Sequence, residues 1–233
     1  MKIWIDFINT PQVSFFAPFI KKFQEDGHEL LLTCRDSGNT VDLLKQYGFE
    51  YHIVGNSVQS GKIRKLLGFI QRLIALYRFI RQYQPDVAAS QSSFYQPIVA
   101  RIRNIPCLYT NDNEHAEGNL FGFLFASQVV LPVALQEAAF TQKWPLKNKV
   151  SFYPSVKEAI YLSQQLELLL APGQQKRTIY FRPEPWSAQY YSGPLNFFDD
   201  TLLRLSQDFK VVVLPRDKRQ KDHYKQARFV SIA

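Results

Sequence analysis

Asn9, Thr10 and Gln12 bring two amides and a hydroxyl into one short turn. Such groups donate and accept hydrogen bonds without titrating, which suits sugar hydroxyls or one anionic group of a ligand. Pro11 stands among them and glycine does not, so the turn is unlike the Gly-rich loops that bring backbone against a pyrophosphate. The densest titratable group is Asp112, Glu114 and His115 in "TNDNEHAEGN". Two carboxylates and an imidazole at this spacing can supply a general acid or base. Gln91 and Ser92, followed by Ser93, form a further polar run in "SQSSF". A serine nucleophile needs a partnered base and an oxyanion hole, and no GxSxG pattern surrounds these serines. Arg182 in "FRPEP" and Arg216 in "LPRDKRQ" offer guanidinium groups to phosphate or carboxylate.

Each group also has a purely structural use. Asn9 or Thr10 can cap a helix that has Pro11 in its first turn. Asp112 or Asn113 can cap another, with Glu114 favourable in its first turn and His115 a satisfied structural histidine. Ser92 and Ser93 can cap a third, and the arginines can serve ion pairing and solubility.

Position weighs on the choice. "KIWIDF" alternates as a strand and Val13–Phe23 repeats as a helix, so the first turn lies at the carboxyl end of a strand. Ligands in α/β proteins bind at that edge. "DVAAS" and "PCLYTN" place the serine and acidic runs on the same edge. "ELLLTC", "EYHIVG" and "SQVVLP" are the other strands of the first half, with helices expected at 13–26, 38–47, 61–83, 94–103 and 134–142. This alternation predicts an α/β fold, a parallel sheet covered on both faces. The glycines of "EDGHE" and "QYGFE" fall where helices need a left-handed cap.

A Rossmann-like first domain is expected over residues 1–155 and a connector over 156–177, which starts near a proline and ends in Pro-Gly and a basic run. Residues 178–233 carry two or three strands and one or two helices, a partial second Rossmann-like domain. So few elements leave a sheet edge to be covered by missing chain or by a homo-oligomeric partner. The alternative is that these strands extend the first sheet.

The net charge of +8 suits an anionic partner, though basic proteins without one are common. Nucleic acid is not expected, since no helix-turn-helix, zinc-finger or RNP pattern accompanies the charge. The two cysteines, Cys34 and Cys107, show no metal or redox spacing and are read as reduced and buried. Asp6 interrupts the first apolar run, which is therefore not a signal peptide, and no stretch has the length and apolarity of a membrane span. In "GKIRKLLGFIQRLIALYRFIRQYQ", Ile63, Leu66, Leu67, Ile70, Leu73, Ile74 and Tyr77 share one face, read as the core face. Arg64, Lys65, Arg72 and Arg78 are expected opposite, with Phe69, Leu76 and Phe79 beyond the core stripe. Residues 61–83 are then either an ordinary covering helix or a peripheral contact with an anionic membrane.

The opening segment through "EYHIVG", together with "TNDNEHA", "YPSVKEAIYL", "FRPEPWSAQYY" and "VVVLPRDKRQ", resembles domain-of-unknown-function family 354. The resemblance spans nearly the whole chain. That family is similar in layout to GT-B enzymes, which have two Rossmann-like domains facing each other across a cleft and include glycosyltransferases and UDP-N-acetylglucosamine 2-epimerase. The resemblance implies sugar transfer from a nucleotide-sugar in polysaccharide or glycolipid biosynthesis. The nucleotide-sugar is then a substrate, with no cofactor or metal, and the acceptor is a sugar or lipid-linked. It implies Glu114 as base within an acidic group that includes Asp112 and His115. Asn9, Thr10, Gln12, Gln91 and Ser92 are implied for the acceptor, and Arg182 and Arg216 for phosphate. A cytoplasmic site, at or near the inner membrane face, is expected. Two readings stand beside this one: an epimerase-like enzyme, and a truncated non-catalytic binder of a sugar or partner. Family members are usually longer, and favour histidine at Gln12 and glycine at Ser155. The glutamine keeps hydrogen bonds but carries no proton.

Overall fold

Alternate residues of β1 (Lys2–Phe7) enter two different hydrophobic layers. Trp4 joins one with Leu31, Ala88, Tyr109 and Val129, while Ile3, Ile5 and Phe7 join the other with Leu32 and Cys34. Burial on both faces is what a parallel sheet sandwiched by helices requires. The computed structural model describes residues 1–36, 39–56, 62–113, 119–141, 144–146, 149–162, 178–186, 191–227 and 230–232. These fall into two compact units, Met1–Leu170 and Ala171–Ala233.

The first unit holds β1, β2 (Glu29–Asp36), β3 (His52–Asn56), β4 (Val87–Gln91), β5 (Cys107–Thr110), β6 (Gln128–Pro132) and β7 (Val150–Tyr153). They form one parallel sheet of order β3-β2-β1-β4-β5-β6-β7. α1 (Thr10–Glu25), α2 (Thr40–Gln46) and α7 (Lys157–Leu162) pack on the layer of Phe7. α3 (Lys62–Tyr83), α4 (Tyr95–Ile102), α5 (Asn119–Phe125) and α6 (Gln136–Thr141) pack on the layer of Trp4. Gly27 and Gly48 take φ of +75° and +71° after α1 and α2, as the helix-cap expectation required. β7, α5 and the attachment of α7 to α1 go beyond the elements expected from the sequence. β7 is a short, half-buried edge strand with no strong alternation to mark it.

The face of α3 is a correction. The core side is Phe69, Arg72, Leu73, Leu76 and Ile80, whereas Leu66, Leu67, Ile70 and Ile74 are exposed. Arg72, expected on the polar side, is only 3% exposed. Its guanidinium donates to both oxygens of fully buried Asp6, at 2.8 and 3.0 Å, and to the Val54 carbonyl at 3.2 Å. Thr33 and Ser93 hydroxyls donate to the same carboxylate at 2.7 and 3.0 Å, and Tyr95 lies under the guanidinium at 4.5 Å. Pairing with Asp6 turns the arginine inward and rotates the leucines outward.

Cys34 and Cys107 are free and buried. Burial, with Asp6 nearby, pushes the Cys34 thiol up to about 11, and burial pushes Cys107 up to about 12. Both folded values lie above the ordinary 9.0, so these thiols contribute full stability below pH 9.0 and progressively less as pH rises toward them. Neither thiol should react with a disulfide reagent at pH 8 until denaturant is added. Rapid release of thionitrobenzoate from the native protein would contradict this burial.

The second unit is a separate sheet rather than an extension of the first. β8 (Thr178–Phe181), β9 (Lys210–Val213) and β10 (Ser231–Ile232) pair in parallel in the order β10-β9-β8. α8 (Asp199–Leu205) and α9 (Lys218–Gln226) supply Leu202 and Tyr224 to a core with Trp186, Val211 and Val213. Gln220 is wholly buried in the first turn of α9. Its Oε1 accepts from the Arg216 backbone N–H at 2.7 Å, and its Nε2 donates to the Glu184 carbonyl beyond β8.

Candidate functional site

β1 and β4 are neighbours, yet α1 and α4 leave them toward opposite faces of the sheet. The carboxyl ends diverge there and a crevice opens. A pocket of about 270 Å³ fills it. Asn9 and Gln12 line it from the β1 turn, Gln91 and Ser92 from the β4 turn, and Asn111 and Asp112 from beyond β5. Asn119 of α5 and Lys157 of α7 complete the polar wall.

The β1 turn is built around Gln12, which is 1% exposed. Asn9 is the N-cap residue of α1, Pro11 lies in the first turn, and Gln12 follows at the position where a capping box reaches back. Gln12 Oε1 accepts from the N–H groups of Ile8 at 2.6 Å and Asn9 at 3.1 Å. Its Nε2 donates to the Gln91 carbonyl, which ties the β1 turn to the β4 turn. The Thr10 hydroxyl lies 3.2 Å from that of Thr40. Arg35, at the end of β2, donates to the Ile8 carbonyl at 2.8 Å and to Asn9 Oδ1 at 3.3 Å. Burial pulls the Arg35 guanidinium below its usual range, and Arg72 adds to that. Arg35 lies one residue past "ELLLTC", the stretch the sequence marks as strand, because β2 runs on to Asp36.

The β4 turn carries backbone strain. Ser92 has φ +55°, the left-handed region that non-glycine residues occupy at a cost of about 1 kcal/mol or more. Its N–H donates to the Thr110 carbonyl at 2.9 Å, and its hydroxyl accepts from Asn111 Nδ2 at 3.0 Å. Asn111 Nδ2 also reaches Asn119 Oδ1 at 2.6 Å, and Asn111 Oδ1 accepts from the Asn113 N–H at 2.6 Å. Tyr109 donates to Asn119 at 3.2 Å, and burial raises its phenol well above the ordinary value. The result is a braced sheet of amides at the crevice wall.

Asp112 Oδ1 accepts from Gln91 Nε2 at 2.8 Å, and its Oδ2 is ion-paired with Lys157. Both side chains keep about a quarter of their surface exposed. Lys157 stands in the segment "YPSVKEAIYL", which the sequence marks as connector, so nothing in the pattern singles it out. The structure thus gathers Asn9, Gln12, Gln91, Ser92 and Asp112 around one pocket. Glu114 and His115 lie outside the described residues. Arg182 follows β8 directly and Arg216 follows β9, both exposed in the second unit. Arg216 Nε donates to the Pro183 carbonyl at 2.7 Å, which holds it over the turn that carries Arg182. Among the described residues no three His, Cys, Asp or Glu side chains converge as metal ligands.

A larger cavity, about 450 Å³, opens on the α1 face of the sheet between Phe15, Phe16, Phe19, Leu108 and Tyr153. Its wall is almost wholly apolar and offers nothing to hold a phosphate or a sugar ring. The polar crevice is where chemistry can occur: a carboxylate, an ammonium and paired amides converge within it.

A family model described as "Protein of unknown function (DUF354)" matches residues 1–233. The uncharacterized protein MJ0665 of Methanocaldococcus jannaschii is 32% identical over 242 residues, covering 99% of this chain and 70% of that one. UDP-GlcNAc 2-epimerase from Neisseria meningitidis, solved bound to UDP-GlcNAc, is similar with a TM-score of 0.70 and 13% identity over 100% of this chain and 72% of the other. The Streptomyces glycosyltransferase SsfS6 is similar with a TM-score of 0.54 and 12% identity over 100% of this chain and 71% of the other. The likeness at these identities is one of fold, the GT-B type.

Proposed function

The chain belongs to the DUF354 family, and from that premise we propose that it moves a sugar from a nucleotide-sugar to an acceptor hydroxyl in polysaccharide or glycolipid assembly. The observation that carries this reading is the crevice pocket, where the amides of Asn9 and Gln91 stand beside the Asp112–Lys157 pair and Asn111 and Asn119 brace the wall behind them. Amides that donate and accept side by side match neighbouring sugar hydroxyls. In the proposed step the acceptor oxygen bonds to the anomeric carbon, the bond to the diphosphate breaks, and a carboxylate takes the acceptor's proton. Asp112 is the described carboxylate at the pocket, and Glu114 enters through the family resemblance. Lys157 is the described cation at the pocket for the departing diphosphate, and Arg182 and Arg216 enter as phosphate-binding groups through the family resemblance alone. A lipid-linked acceptor would bring the protein to the inner face of a membrane.

Calorimetric titration with UDP-GlcNAc and UDP tests the reading. UDP-GlcNAc should bind saturably and more tightly than UDP. Lys157→Met or Gln91→Ala should weaken it by about tenfold or more, the worth of a charge-assisted or buried hydrogen bond. Absence of binding by the folded chain, or binding that both variants leave intact, would remove the crevice from the mechanism. The higher TM-score against the epimerase than against the glycosyltransferase, 0.70 against 0.54, supports a second reading, epimerisation of a free nucleotide-sugar. Only transfer depends on added acceptor, so turnover without one favours epimerisation.

A further inference from the structure

α3 shows solvent a face as apolar as the one it buries. Leu66, Leu67, Ile70 and Ile74 are 60%, 54%, 45% and 46% exposed, and they recur at the spacing of one helical stripe. Phe69 touches Phe121 of α5 at a ring distance of 5.8 Å, and Leu120, Phe121 and Leu124 of α5 are exposed as well. The two helices therefore present adjoining apolar surface of a kind that soluble chains rarely leave open. Along α3 the described charged residues that border it have one sign. Arg64 and Arg78 flank the stripe, Arg81 continues it two turns beyond Ile74, and the Arg103 guanidinium lies over the Tyr77 ring at 5.6 Å; Arg64, Arg78 and Arg81 are exposed. From Lys62 to Asn111 the sequence has a single acidic residue, Asp86. Asp86 follows the far end of α3 and accepts from the Lys2 backbone N–H at 2.7 Å. No described helix is long and apolar enough to cross a membrane.

We propose that this face, Leu66, Leu67, Ile70 and Ile74 of α3 with Leu120 and Leu124 of α5, is a docking surface for an anionic lipid bilayer. The helix lies in the interface, its leucines and isoleucines entering the acyl boundary and its arginines meeting the headgroup phosphates. An exposed apolar stripe fits a membrane better than nucleic acid, whose surface offers phosphate and no hydrocarbon. The charge argues against a second copy of the same face, because apposition would bring the arginines together. The inference gives the membrane contact of the proposed function a definite surface, but it stands on side chains other than those of the sugar pocket.

Vesicle sedimentation of the full chain tests it, with phosphatidylglycerol-containing and pure phosphatidylcholine vesicles. Binding to the anionic vesicles is expected, and it should weaken with salt. Leu67→Glu and Ile70→Glu should each weaken it by about tenfold. Arg64→Gln and Arg78→Gln should each weaken it by about fivefold. All four residues are exposed, so an unchanged melting temperature is expected for each variant. No binding to anionic vesicles, or binding indifferent to the apolar substitutions, overturns the proposal. So does a wild-type dimer in solution that Ile70→Glu dissociates, because the face is then a self-interface. Vesicle binding that fails while UDP-GlcNAc still titrates removes the docking surface and leaves the sugar reading standing. The converse result does the reverse.

Discussion

Arg72→Met is expected to lower the free energy of unfolding by about 3–5 kcal/mol, the largest effect of any single exchange considered for this chain. The substitution leaves the Asp6 carboxylate wholly buried without its cation. The Thr33 and Ser93 hydroxyls still donate to it, but two neutral donors do not offset a buried charge. The damage should extend beyond stability. Ser93 belongs to the turn that carries Gln91 and Ser92, and Asp6 fixes that turn from below. A protein with loosened Ser93 should bind ligand more weakly even where it remains folded. The double variant Asp6→Asn/Arg72→Met separates charge from shape. It removes the unpaired charge and keeps an acceptor for Thr33, so it should recover at least half of the lost stability. Urea unfolding of the wild type and the two variants measures this. A loss under 1 kcal/mol for Arg72→Met would show that Asp6 is not held as described.

The second large effect is at Gln12. Gln12→Ala removes the acceptor for the Ile8 N–H and the donor for the Gln91 carbonyl. Two buried backbone groups left unpaired cost about 2–4 kcal/mol. The bond to Gln91 links the turns after β1 and β4, so sugar affinity should fall with stability. Gln12→Glu keeps acceptors for Ile8 and Asn9 but presents a carboxylate to the Gln91 carbonyl, and should be as harmful as alanine. Gln12→His should retain more than half the stability, because a neutral imidazole carries one acceptor and one donor on the same ring. Chemical denaturation orders the series. If glutamate proves as stable as glutamine, the link to Gln91 contributes nothing.

The sequence made the first sheet legible because its strands alternate with amphipathic helices, and the glycines after α1 and α2 mark helix ends by backbone geometry alone. It misled wherever a polar residue is satisfied inside. A helical wheel sends Arg72 to solvent, since periodicity carries no record of an aspartate on another element waiting to receive it. The same blindness covers the framework role of Gln12, whose type and place suggest a ligand contact while the fold also commits both ends of its amide to backbone. Lys157 escaped for another reason: Asp112 lies far from it in sequence, and only the fold brings α7 to the crevice. The α5 segment "NLFGFLF" was not assigned because it is nearly all apolar and too short to show a period.

Gln12 and Gln220 sit at the same place in their two units. Each lies in the first turn of a helix that follows a strand, and each clasps its own turn and the loop after the neighbouring strand. The frame of each turn is thereby held from behind, by an amide whose two ends are spent on backbone. The tips in front of it, Asn9 and Thr10 in one unit and Arg216 in the other, are released from keeping the backbone in shape. Such a division makes the tips evolvable. Substitutions there can alter which molecule is gripped while the scaffold persists, so a combinatorial library over positions 9, 10 and 216 should yield mostly folded proteins of altered preference, and one over 12 and 220 mostly unfolded chains.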